Sequence, residues 1–181
     1  ADDICHPERI EKQVKFLQKR QDYFLVGTNA FVINADGEVI GSKTEPTSHQ
    51  DIYKSYFTLH PLIHPSCMFR RKINGRKFKY QIKYSANNDY YTFFGLICSG
   101  HKFANLKEKL LYYRIHGKND TFIHIKRKFL NTLHARYTMI RKFGYTPSIS
   151  QVVITIIQSA VALLLPEKVT AMLYFITKGI V

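Results

Sequence analysis

The chain has 181 residues, 45% of them hydrophobic, and Lys and Arg outnumber Asp and Glu by 27 to 13, giving a net charge of +14. That apolar content suffices for one domain of ordinary size plus an appendage, and the charge implies anionic partners such as acidic lipid headgroups or pyrophosphate-bearing substrates. With no RNA-recognition, zinc-finger or helix-turn-helix signature, nucleic acid is not an expected partner.

Cys5, Cys67 and Cys98 are odd in number and far apart, which fits a reducing cytoplasm rather than a disulfide framework. No Cys-x-x-Cys spacing suggests zinc. Pro61 and Pro65 interrupt the helix that His60 and His64 would need to share a metal.

In chain order, Asp2 and Asp3 precede a helix opened by Pro7. Adjacent carboxylates suit Mg2+ or Mn2+, because the ion cancels their repulsion; the same pair also suits the positive end of a helix. The helix is predicted over Glu8 to Lys19, with Ile10, Val14 and Leu17 on one face. Tyr23 to Ile33 reads as a strand, Asp36-Gly37 as a tight turn and Val39-Ile40 as the returning strand. Residues 42–50 contain Pro46 and read as a loop, with a short helix following near Ile52 to Phe57.

His64 to Arg70 reads as a buried strand with polar ends. Residues 71–83 are densely basic around an Asn74-Gly75 turn, and Lys72, Arg76, Lys77, Lys79 and Lys83 form either a solvated loop or a cradle for an anionic acceptor. A helix from Asp89 to Ser99 is closed by Gly100, and Asp89 suits its N-cap. Phe103 to His116 is expected to form a helix, a loop and a strand.

Thr121 to Phe143 sets Phe122, Ile125, Phe129, Leu133, Tyr137 and Ile140 at helical spacing, with Lys126, Arg127, Lys128, Arg136, Arg141 and Lys142 on the remaining faces. Such a basic amphipathic helix either lies on an anionic membrane surface or packs on its own domain with a solvated exterior. Ser148 to Leu165 carries no charge and reaches the lower length limit for crossing a bilayer. Together with Val169 to Ile176 it suits a helical hairpin lying in one leaflet better than a spanning anchor.

Five motifs in order say more than any one of them. Ala1-Asp2-Asp3-Ile4 with Pro7 through Gln13, Val26-Gly27-Thr28, His64 through Arg71, Asn88-Asp89-Tyr90, and Tyr112-Tyr113-Arg114-Ile115-His116-Gly117 together resemble the C-terminal part of inverting family 2 glycosyltransferases of the GT-A fold. The members most alike build bacterial surface polysaccharides. The match begins inside the family's Asp-x-Asp motif, so the family's nucleotide-binding half is expected outside this chain, and the chain alone is expected to be inactive. The expected organisation is α/β: the C-terminal portion of a GT-A mixed-sheet domain over residues 1–120, a basic amphipathic helix over 121–145 and an apolar helical membrane-associating tail over 146–181.

The resemblance implies a nucleotide-diphospho-sugar donor, a glycan or lipid-linked acceptor, and Mn2+ or Mg2+. It implies a cytoplasmic protein, peripheral or monotopic on the inner face of the cell membrane, where anionic lipids are a further partner. Asp2 and His116 match metal positions, and Asp89 matches the catalytic base. Asp3, His64, Ser66, Asn88 and Arg114 match substrate contacts, with Asn88 standing where the family usually has Glu. Without the resemblance these side chains read as caps, turns and buried hydrogen bonds, and the alternative is a non-catalytic membrane-associated interaction module.

Overall fold

Two long strands, β2 (Tyr23–Ile33) and β7 (Lys102–Arg114), run parallel at the centre of a sheet in the order β1-β7-β2-β3, where β1 is Ile4–Cys5 and β3 is Val39–Lys43. A short strand, β4 (Met68–Phe69), also pairs with β2, opposite Leu25 and Val26. The computed structural model describes residues 2–84, 86–115, 125–166, 169–170 and 173. β2 is apolar on both faces, as a strand covered on both sides must be: Phe24, Leu25, Val26, Ala30, Val32 and Ile33 are all buried. Each large side chain sealed this way contributes about 1.5–3 kcal/mol relative to exposure.

The β2–β3 hairpin forms as the Asp36-Gly37 signal predicts, with Gly37 at φ +93° and the Asn34 Oδ1 accepting from the Asp36 and Glu38 N–H groups. The predicted loop over 42–50 is shorter than expected. β3 continues to Lys43, and helix α2 (His49–Ser55) begins early because the Ser48 Oγ accepts from the Asp51 N–H.

Helix α1 (Arg9–Lys19) occupies the predicted span but turns a different face inward. Ile10 and Val14 are exposed, whereas Gln13 is buried beside Leu17. The Gln13 Nε2 donates to both Val26 O and Ser66 O at 2.8 Å, so a polar side chain stitches the helix to the sheet.

His64 to Arg70 is not a strand throughout. A 3-10 turn at His64–Ser66 precedes β4, because Pro65 has no N–H for a sheet ladder. The basic stretch folds into the small hairpin of β5 (Lys72–Ile73) and β6 (Arg76–Lys77), with Asn74 and Gly75 both at positive φ. Helix α3 (Asn88–Cys98) is the crossover that parallel pairing of β2 and β7 requires, and Gly100 at φ +90° follows its end as expected.

The helix expected within Phe103 to His116 is absent, and β7 is continuous to Arg114. Its ladder to β2 passes from Thr28 opposite Leu106 to Asn29 opposite Lys109. Lys107 and Glu108 are thereby bulged out, with the Lys107 carbonyl held by the Asn29 Nδ2 at 2.9 Å. The charged Lys-Glu-Lys run mimics a helical surface; the bulge is what lets it sit in a strand.

Helix α4 (Ile125–Phe143) packs on α3, and Ala135, Met139 and Tyr145 join the core cluster built around Phe93, Phe94 and Phe103. Periodicity placed Arg136 on a polar exterior, yet it is 4% exposed, while Tyr137 is 60% exposed. The helix is rotated from the predicted stripe because Arg136 finds buried carbonyl and hydroxyl partners. Helix α5 (Ile149–Leu164) follows, with Ser148 and Gln151 forming a capping box. No helix among the described residues is long and apolar enough to cross a membrane. The second limb of the predicted leaflet hairpin falls largely outside the described residues.

Candidate active site

The antiparallel register of β1 against β7 sets Ile4 opposite Tyr112 and Cys5 opposite Leu111. The first and last strands of the sheet therefore meet: Asp2 and Asp3 lie along Arg114, two residues before His116, which itself lies outside the described residues. The Arg114 N–H donates to the Asp3 Oδ1 at 2.9 Å, and its Nε donates to Asp2 O at 3.0 Å. The Arg114 Nη1 donates to Asn34 O at 2.8 Å and Ala35 O at 2.7 Å. Arg114, expected at a substrate contact, ties the segment before β1 to the β2–β3 turn.

Burial pushes the Asp3 carboxyl above the usual carboxylate range; the Arg114 N–H opposes this, and the charge of Asp2 adds to it. Asp2 is exposed. Adjacent hard oxygens, one of them poorly solvated, fit a divalent cation, since its charge offsets both. Among the described residues no group of three His, Cys, Asp or Glu side chains converges on one point, so a protein-held ion would need a ligand beyond them.

Asp89 is the second residue of α3, inside the first turn rather than at the N-cap. Asn87 holds the cap position in a left-handed conformation at φ 62°, and its Nδ2 donates to Lys128 O and the Thr132 Oγ1 on α4. The Asp89 Oδ2 lies 3.7 Å from the His60 Nδ1. Burial raises the Asp89 carboxyl, but His60, the Tyr90 N–H, His64 and its own N–H outweigh that and hold it below the ordinary range. His60 was legible in the sequence only as half of an unconvincing metal pair. Its partnership with Asp89 joins two separate segments and leaves no local signature.

Aromatic rings wall this carboxylate. His60 packs on Tyr56 and Tyr90, both at 5.7 Å between centroids. His64 is exposed and shares a 3.1 Å hydrogen bond with the Tyr80 hydroxyl, whose pKa burial pushes up to about 12. Ser66 is fully buried: its Oγ accepts from the Thr28 N–H and donates to Ile63 O, so a substrate does not reach it in this conformation. Asn88 turns its amide onto the basic stretch, accepting from the Lys83 and Tyr84 N–H groups and donating to Tyr84 O.

An open groove of about 530 Å³ is lined by Thr92 and Leu96 of α3 together with Arg76, Lys77, Lys79 and Gln81. Its basic rim suits an anionic group on a bound molecule.

No family model matches the chain. It is homologous to several curated glycosyltransferases at about 30% identity. An uncharacterised glycosyltransferase of Methanocaldococcus jannaschii, MJ1057, is 33% identical over 140 residues, covering 77% of this chain and 47% of the relative. The O-antigen biosynthesis glycosyltransferase WbnJ of Escherichia coli is 31% identical over 121 residues, covering 66% of this chain and 46% of WbnJ. The amylovoran biosynthesis glycosyltransferase AmsE of Erwinia amylovora is 28% identical over 116 residues, covering 63% of this chain and 42% of AmsE. The chain spans about half the length of the curated relatives it matches.

Proposed function

We propose that this chain supplies the acceptor side of a family 2, GT-A-type glycosyltransferase site, which moves a sugar from a nucleotide-diphosphate donor to a glycan or lipid-linked acceptor with inversion. The O-antigen and amylovoran roles in the names of two relatives support surface-polysaccharide synthesis as the setting. They also disfavour a purely non-catalytic interaction module. The observation that carries the reading is Asp89, held below the ordinary carboxylate range beside His60, which packs on Tyr56 and Tyr90.

In this reaction the acceptor oxygen attacks the anomeric carbon from the face opposite the diphosphate. The new C–O bond forms as the bond to the diphosphate oxygen breaks, and the acceptor proton passes to the Asp89 carboxylate. His60, when protonated, favours the ionised form of that carboxylate before attack. Asp2, with His116, would hold Mn2+ or Mg2+, and Asp3 would fix the loop beside it. The cation's chemistry is Lewis-acid stabilisation of the departing diphosphate. Arg76, Lys77 and Lys79 would meet anionic groups of the acceptor.

Asp89→Asn in the full-length gene product tests this. Sugar transfer should fall by about 10²- to 10⁴-fold, the range for a general base, with donor affinity retained. Wild-type turnover in the variant would remove Asp89 from the mechanism.

A further inference from the structure

Helix α5 is mounted with its polar stripe inward. Gln151, Thr155, Gln158, Ser159 and Ala162 recur at i, i+4, i+7, i+8 and i+11 and face the domain. The Gln151 Nε2 donates to Lys54 O at 2.6 Å and to the Tyr145 hydroxyl at 3.0 Å. The buried Arg136 donates through Nη1 to the Thr155 Oγ1 and Gln158 Oε1 and through Nη2 to Thr58 O, which the Gln158 Nε2 also reaches. These bonds fix the rotation of the helix.

The opposite face is consequently apolar and open. Ile149, Ile156, Ile157 and Leu164 are 85%, 62%, 57% and 80% exposed, and Val152 and Leu163 continue the patch. A water-soluble surface helix is arranged the other way round. Sixteen residues extend about 24 Å, short of the roughly 30 Å hydrocarbon core, so the helix is sized to lie along a bilayer rather than cross it. Just before it, Arg141 and Lys142 are exposed at the end of α4, beside the exposed Tyr137 and Ile140. Exposed cations close in sequence to an apolar face complement anionic headgroups over acyl chains, a charge pattern that a second copy of the same +14 chain would oppose.

We infer that the outward face of α5 docks into the interface of an anionic bilayer, with Arg141 and Lys142 at the headgroups. The helix bearing Asp89 is tied to α4 through Asn87, so docking would hold the candidate site at the lipid surface, where a lipid-linked acceptor would be found.

The test is sedimentation of the intact chain with phosphatidylcholine vesicles, with and without 30 mol% phosphatidylglycerol, alongside sizing of the protein without lipid. Wild type should pellet at least tenfold more with the anionic vesicles and be partly released at high salt. Ile156→Glu with Ile157→Glu should abolish pelleting without changing the melting curve, since both side chains are exposed. Because the chain has no Trp, Ile157→Trp gives a single reporter whose emission should shift to the blue with vesicles and be quenched by brominated acyl chains. Wild type left in the supernatant, pelleting that survives the double substitution, or an unquenched reporter would overturn the proposal. So would a dimer that the double substitution dissociates in the absence of any lipid binding.

Discussion

The Arg114 N–H donates to the Asp3 Oδ1 at 2.9 Å, joining residues from opposite ends of the sheet-forming part of the chain. Because the Asp3 carboxyl is raised by burial, the folded chain holds that proton more tightly than the unfolded one. Stability on this account falls as pH rises from the ordinary carboxylate value through the raised one. Asp3→Asn keeps an acceptor oxygen and removes the charge, so in thermal melts from pH 3 to 8 it should match or exceed wild type above that interval. Asp3→Ala, which loses the bond, should be less stable by about 1 kcal/mol.

Asp89 has the opposite sign. Its carboxyl is depressed, so its contribution to stability is complete above the ordinary carboxylate value and is lost as pH falls through the depressed one. His60→Gln withdraws the strongest of the opposing influences. In the full-length gene product the acid limb of kcat/KM should move to higher pH, whereas a merely structural role for His60 would lower activity equally at every pH.

Arg136 is buried among carbonyl and hydroxyl acceptors, with no carboxylate beside it among the described residues, and its guanidinium lies 5.7 Å over the Phe57 ring. Arg136→Ala removes the donor to the Gln158 Oε1 and leaves Thr58 O with the Gln158 Nε2 alone, and should cost about 2–3 kcal/mol in denaturant unfolding. Arg136→Lys should recover little, because an ammonium does not reproduce the planar fork. Hydrogen exchange should then accelerate first in α5.

Gly27 packs against the side chain of Asn105, whose Nδ2 donates to Pro46 O at 2.7 Å and Pro61 O at 3.0 Å. A Cβ at this position collides with the Asn105 Oδ1. Gly27→Ala should therefore destabilise by about 1–3 kcal/mol, as overpacking does, with the chevron or melt showing loss of stability rather than of cooperativity.

Local patterns in the chain determined β2, the Asp36-Gly37 hairpin, the Asn74-Gly75 turn, α3 with Gly100 after it, and an uncharged helix near the C-terminus. Each rests on nearest-neighbour chemistry: alternation, a residue that tolerates positive φ, or a run of apolar side chains. The carboxylates Asp2, Asp3 and Asp89 were likewise legible as candidates, since residue type and flanking motif are local. Only the tertiary structure decided which face each helix buries. Gln13 and Arg136 go inward because carbonyls from other segments wait there, and α5 turns its polar stripe inward for the same reason. It also decided that Lys107 and Glu108 bulge from a strand, that Ser66 is sealed, and that His60 stands beside Asp89. Those outcomes depend on hydrogen-bond partners that exist only once distant strands are paired, and periodicity along one segment carries no record of them.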